Sequence, residues 1–158
     1  HTSHLSHGRI PKKKGQYFVF TIVRDPYERL ASCYRAKFNR DDESTFIFSN
    51  YLFGYLKNHD SFDEFVRKVS KIPDKISDRH FRSQHKIVFA SGNKVDFIGK
   101  FENLSSDFEG IRTKYGFGEL PVLNKSSGRS AADLFSDETR EAASRRYKKD
   151  FELFGYSN

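Results

Sequence analysis

The chain has 158 residues, enough for one domain with a real core. Its 28 Lys and Arg against 21 Asp and Glu give a formal charge of +7, which favours anionic partners: nucleic acid, acidic glycans, membrane surfaces or a multiply charged cofactor. One cysteine excludes an intrachain disulfide framework, and there is no apolar run of about 18 residues that could span a membrane. No signal-peptide pattern opens the chain, and a lone Cys33 makes a reducing compartment the simpler reading. Seventeen Phe and eight Tyr with no Trp point to a core built on phenylalanine. The absence of methionine, start residue included, predicts that the native beginning lies upstream.

His1 to His7 is polar, with three histidines spaced by three, so one side of a short helix carries them; no cysteine or carboxylate there completes a zinc site. PKKKG, Pro11 to Gly15, reads as a basic connecting loop before a strand. Tyr17 to Val23 is an aromatic and β-branched run, the pattern of a central strand buried on both faces of a parallel sheet. Asp25 then stands where an N-cap belongs and Pro26 where a first helical residue belongs. At 100° per residue, Tyr27, Leu30, Ala31, Tyr34 and Phe38 share a core-facing side of that helix. Arg29, Ser32 and Ala36 fall on the other, a small-sided polar face, and Arg24 projects from the strand's carboxyl end toward the same space, where open α/β sheets bind ligands. A guanidinium fork with a serine hydroxyl and a helix amino end makes a phosphate clamp. An isolated Arg-Asp-Pro also serves as a simple helix cap with a surface ion pair.

The longer pattern RDPYERLASCYRAKF, Arg24 to Phe38, resembles the 3′-phosphate-binding motif of sulfotransferases that use 3′-phosphoadenosine 5′-phosphosulfate (PAPS). It looks most like the carbohydrate sulfotransferase group of heparan 2-O-, chondroitin and dermatan enzymes and their small bacterial relatives. The resemblance implies that Arg24 and Ser32 hold the 3′-phosphate, with Arg29 a further cofactor candidate. It also implies a histidine about two dozen residues upstream that removes the acceptor's proton: His1 first, His4 second, a solvated histidine being the bland alternative for each. The family's second signature, a lysine-bearing loop around the 5′-phosphosulfate, leads from a strand into a helix with Ser or Thr after its Gly. PKKKG is followed by Gln16 and a strand, so it does not match, and the resemblance puts that loop upstream of His1. Either the chain is the C-terminal portion of an enzyme or it is a relative without that half of the cofactor site.

Farther along, 39–45 reads as a loop and Phe46 to Leu56, apolar nearly all round, as a packing helix. Ser61 and Glu64 form a capping box that opens an amphipathic helix through Val69, with Phe62, Phe65, Val66 and Val69 inside. DRHFRSQ, Asp78 to Gln84, resembles a family stretch on the acceptor side of the cleft, so His80 and Gln84 either contact substrate hydroxyls or order the loop; Arg79 and Arg82 are available to an acidic acceptor. Lys86 to Ala90 and Val95 to Ile98 read as strands about a Ser91-Gly92-Asn93 turn. DFIGKFENL, Asp96 to Leu104, again resembles the family, with Lys100 and Glu102 pairing with one another or with active-site groups, the structural role being the better bet, before a helix capped near Ser106 with Glu109 closing a second capping box. The LPVLNKSSGR loop, Leu120 to Arg129, resembles one that closes over the nucleotide, which makes Lys125, Ser126 and Arg129 candidates for its 3′-phosphate. Ser136 caps a last helix to Phe154, docked by Phe151, Phe154 and Tyr156.

These readings predict one sulfotransferase-like domain over residues 1–158, an α/β fold with a short parallel sheet flanked by helices and related to P-loop kinases. The implied reaction moves a sulfuryl group from PAPS to a carbohydrate hydroxyl and releases the bisphosphate nucleotide PAP, with no metal required. No nucleic-acid signature appears, and the aromatics fall at core spacing rather than as a stacking platform. Two rivals remain: a noncatalytic nucleotide-binding domain of the same fold, and a basic nucleic-acid-binding module. A bacterial-type relative would be cytoplasmic, an animal-type one lumenal in the Golgi.

Overall fold

The structure, a computed structural model, describes residues 17–38, 43–92, 94–119 and 130–158. Strand β1 (Phe20–Val23) pairs in parallel with β2 (Phe97–Lys100), in the register Phe20 to Phe97, Thr21 to Ile98, Ile22 to Gly99 and Val23 to Lys100. Parallel strands need a long crossover, and the segment between them supplies helices α1 (Pro26–Lys37), α2 (Phe62–Lys71) and α3 (Gln84–Val88). Helix α4 (Leu104–Tyr115) follows β2 and packs on it, and α5 (Asp137–Phe154) lies against α1, α2 and α3. Among the described residues β1 has one strand neighbour, and only Val23 in it is fully buried, so the burial expected of a central strand is not reached. Gly99 is tied to this pairing: a Cβ there would stand 2.7 Å from Ile22 Cδ1, 3.0 Å from Phe97 Cε1 and 3.2 Å from Asp107 Cβ.

The core lies between the helices and is aromatic. Phe38 packs its ring 4.6 Å from Phe65, 5.2 Å from Phe46 and 5.5 Å from Tyr34, and Phe48 carries the cluster on to Phe81 at 5.6 Å. Such offset and edge-on pairs add about 0.5–1.5 kcal/mol each beyond their area burial. The capping box of α2 forms as expected: Ser61 Oγ accepts from Glu64 N at 3.3 Å and Glu64 Oε2 accepts from Ser61 N at 2.8 Å, with Phe62, Phe65, Val66 and Val69 buried. Ser61→Ala removes one of those caps, at a cost of about 1 kcal/mol. Among the described residues no helix is long and apolar enough to cross a membrane.

Three expected elements differ. The 46–56 segment is a chain of turns rather than a helix, because Leu52, Phe53 and Gly54 run left-handed at φ 47°, 57° and 73°. Phe46, Phe48 and Leu56 point inward while Phe53 is fully exposed, and Tyr51 Oη donates to Ile76 O at 2.6 Å, so the segment follows its anchors rather than helical spacing. Lys86 to Ala90, expected as a strand, lies in α3 and the turn after it. Buried Asp150 accepts from Gln84 N at 2.6 Å and His85 N at 2.9 Å, capping a helix whose own N-cap residue, Ser83, makes no side-chain cap bond. Helix α4 begins at Leu104, two residues before the expected Ser106 cap. Ser106 Oγ donates to Asn103 O at 2.9 Å, and Glu109 pairs with Arg112 at 2.6 Å instead of closing a box.

Candidate functional site

Arg24 leaves β1 at its carboxyl end, and a side chain from α3 fixes its backbone. Arg24 N donates to Gln84 Oε1 at 2.9 Å and Gln84 Nε2 donates to Arg24 O at 2.7 Å, so the amide extends the strand ladder as a neighbouring strand would. Gln84 is in turn held by the Asp150 carboxylate of α5, which is fully buried. Next, Asp25 turns the chain: its Oδ1 accepts from Tyr27 N at 2.9 Å and Glu28 N at 3.0 Å, capping α1, while Pro26 fills the first helical position. Burial raises the Asp25 carboxyl above its ordinary value, opposed by those two N–H donors and reinforced by the charges of Glu102 and Glu28. Glu102 accepts from Asp25 N at 2.9 Å and from Tyr156 Oη at 2.8 Å, and Lys100 Nζ donates to Gly155 O at 2.9 Å, so both take the structural role expected of them.

Beside this turn lies a cavity of about 530 Å³, within the range of small-molecule sites. Arg24 borders it just beyond β1; Arg29, Ser32, Cys33, Ala36 and Lys37 border it from α1; Arg79 and His80 border it from the loop before α3 and Ile87 from α3. The lining holds four cationic side chains and no carboxylate. The Arg24 guanidinium sits 4.7 Å over the Phe101 ring, with Nη2 3.4 Å from Glu28 Oε2 and Nε buried without a hydrogen-bond partner. A buried guanidinium N–H left unpaired is costly. Arg29 is committed differently: Nη1 donates to Arg82 O at 2.7 Å and Nη2 to Arg79 O at 2.6 Å. It adds charge to the cavity while fastening the 79–82 loop to α1, and its burial draws the guanidinium below its ordinary value. Burial also pushes the Cys33 thiol up to about 12, which removes it as a nucleophile.

This cation-lined turn between a parallel strand and a helix coincides with a family match over residues 1–157, to the group described as the sulfotransferase family. The chain belongs to the sulfotransferase family. Curated relatives include carbohydrate sulfotransferase 14 of Danio rerio, 28% identical over 98% of this chain and 48% of its own length. Carbohydrate sulfotransferase 10 of Xenopus laevis is 26% identical over 93% of this chain and 49% of its own, and carbohydrate sulfotransferase 12 of Xenopus laevis is 24% identical over 91% and 41%. The chain thus spans about half the length of the curated relatives it matches. No solved structure matches it.

Of the site residues expected in this sulfotransferase-family chain, the fold brings Arg24, Arg29, Ser32 and His80 to one cavity. Gln84 is buried and does not line it; both ends of its amide serve the Arg24 backbone, the ordering role that the sequence left open. Arg82 donates from Nε and Nη2 to Ser77 O at 3.0 and 2.5 Å, which spends it on its own loop, whereas Arg79 borders the cavity. His1, His4, Lys125, Ser126 and Arg129 lie outside the described residues. Sequence reasoning missed Lys37 as a lining residue. Carrying the spacing from Arg29 through Cys33 one further turn reaches it. It also missed Asp150, which nothing in the local sequence marks.

Proposed function

We propose that the chain transfers a sulfuryl group from PAPS to a carbohydrate hydroxyl, and that the cavity beside α1 receives the nucleotide's 3′-phosphate. The observation that carries this reading is the convergence of Arg24 and Ser32 on one cation-lined cavity. Arg24 supplies the planar fork, Ser32 a hydroxyl, and Arg29 and Lys37 the surrounding positive potential. Lys125, Ser126 and Arg129 close over the nucleotide in this reading. The reading takes the strand, turn and helix to belong to a P-loop-kinase-related fold, and anions favour the place where a strand hands over to a helix. Relatives named as carbohydrate sulfotransferases support a sugar hydroxyl as acceptor, and Arg79 in the lining suits an acidic one. Sulfuryl transfer of this kind depends on positioning and charge stabilisation, and this cavity can supply both to the phosphate end of the donor.

Thermal unfolding in the presence of PAP, AMP and ATP tests the assignment. PAP alone carries the 3′ group, so it should raise the melting temperature by several degrees at saturating concentration, about 2.7 kcal/mol at a hundred times Kd. Equal shifts with all three nucleotides would remove the 3′-phosphate from this cavity.

A further inference from the structure

We infer that the cleft between α2 and α5 is a second anion site, and that it takes the carboxylate or sulfate groups of an acidic polysaccharide. The choice of a sugar chain rests on the sulfuryl-transfer reading above; the charge of the cleft does not.

The two helices run side by side in the same direction. Thr139 Oγ1 of α5 donates to Asp63 of α2 at 3.1 Å, Arg67 donates to Glu138 at 3.0 and 3.2 Å, and Arg146 reaches Asp74, just past the end of α2, at 2.6 Å. Between them lies a cavity of about 450 Å³. Small side chains at Ser70 and Ala142 leave the space open, and the long ones around it are Arg67, Lys71, Arg145 and Arg146 with a single carboxylate, Glu138. None of these residues lines the cavity beside α1.

The four cations are not equally committed. Arg67 spends its guanidinium on Glu138, which neutralises one end of the cleft. Arg146 is only 11% exposed and is held by Asp74, Ser83 and Ser77, so it contributes a fixed charge rather than a movable arm. Lys71 is exposed and has no ion-pair or hydrogen-bond partner among the described residues. Arg145 pairs with Glu141 one turn back on α5, but both side chains are about two-thirds exposed, and so open an ion pair is weak enough for a better-placed anion to displace. Lys71 and Arg145 are therefore the two arms that an incoming anion meets, with Arg146 behind them.

The lining also discriminates between polyanions. No aromatic side chain borders the cleft, so a base has nothing to stack on. The phosphate backbone of DNA offers acceptors alone, and Glu138 opposes it. A sugar chain with carboxylate or sulfate groups offers both kinds of partner: its anionic oxygens suit Lys71 and Arg145, and its hydroxyls donate to Glu138, whose side chain is 69% exposed. Each sulfuryl transfer adds a negative charge to such a chain, so the product suits the cleft at least as well as the acceptor.

Calorimetry on the full chain, titrated with chondroitin sulfate, neutral dextran, a short DNA duplex and PAP, tests the assignment. Lys71→Glu with Arg145→Glu is expected to weaken chondroitin sulfate binding by about tenfold at low salt, and by less as salt rises. Lys94→Glu with Lys114→Glu changes the net charge equally at exposed positions outside the cleft, and should leave that affinity within about twofold. Dextran should not bind, and PAP affinity should be the same in all three proteins. If the reversed pair does not fold, Lys71→Gln with Arg145→Gln carries the same test. No binding of chondroitin sulfate by the wild type, an unchanged affinity in the cleft variant, or equal losses in both variants would overturn the inference. So would a DNA duplex that binds more tightly than chondroitin sulfate and is the one lost in the cleft variant. A chain that shows the expected loss of chondroitin sulfate but never binds PAP would keep the cleft and remove the nucleotide reading.

Discussion

Replacing Arg24 with alanine isolates the proposed phosphate clamp. The Arg24 side chain is 21% exposed, its guanidinium backed by the Phe101 ring at 4.7 Å, with the Glu28 carboxylate at a loose 3.4 Å. A two-pronged charge-assisted contact in such a partly buried place is worth about 1.5–3 kcal/mol per hydrogen bond, less what the Glu28 contact already supplies. The net loss for Arg24→Ala is therefore about 2–4 kcal/mol, or roughly 30- to 700-fold in Kd for PAP. Calorimetry on both proteins measures it, with AMP as control because it lacks the 3′ group. Equal Kd values for PAP would refute the clamp. So would equal losses for PAP and AMP, which would mean that Arg24 acts on the fold rather than on the 3′-phosphate.

Gln84→Ala leaves both backbone groups of Arg24 without their partners, so it should cost about 1–3 kcal/mol of stability and weaken PAP binding although Gln84 does not line the cavity. Urea denaturation and calorimetry would both have to be unchanged to exclude this link. The Asp74 carboxyl is pushed up by burial, but Arg146 at 2.6 Å and the Ser83 N–H at 2.9 Å outweigh that and hold it down at about 2, against 3.8 for the free group. A depressed acid stabilises the fold above its unfolded value and loses that contribution as pH falls through the folded one. Stability should therefore decline between about pH 4 and pH 2, and Asp74→Asn should flatten that decline. Matching acid limbs in wild type and mutant would contradict the assignment. Gly99→Ala should destabilise by about 1–3 kcal/mol because Ile22, Phe97 and Asp107 already crowd the missing Cβ; thermal unfolding reads the loss, and an unchanged melting temperature would show that these neighbours yield freely.

The legible parts of the sequence were those where a few adjacent residues decide the outcome. Asp25 and Pro26 announced the start of α1, Ser61 with Glu64 that of α2, and Ser136 that of α5, because an N-cap satisfies orphan amides within three residues of itself. The faces of α1 followed from the same local geometry, which is why Arg24, Ser32 and Arg29 could be grouped before any fold was known. Lys86 to Ala90 was misread because a short apolar run looks alike in a strand and in a buried helix; what chose the helix was Asp150, more than sixty residues away. The 46–56 turns were missed for a similar reason, since Tyr51 finds its anchor at Ile76.

The sequence alone determined the family and the starts of α1, α2 and α5, since each depends on neighbours along the chain. Tertiary structure decided how the site residues are employed. Of the arginines near the site, Arg29 and Arg82 are occupied by backbone carbonyls, while Arg24 keeps a buried N–H with no partner. Of the two histidines paired with aspartates among the described residues, His80 lines the cavity and His85, in α3, does not. The physical reason is that a hydrogen-bonding group has a fixed number of donors and acceptors. Whether folding satisfies them internally or leaves them for a ligand depends on contacts between segments far apart in the chain, which no local pattern records.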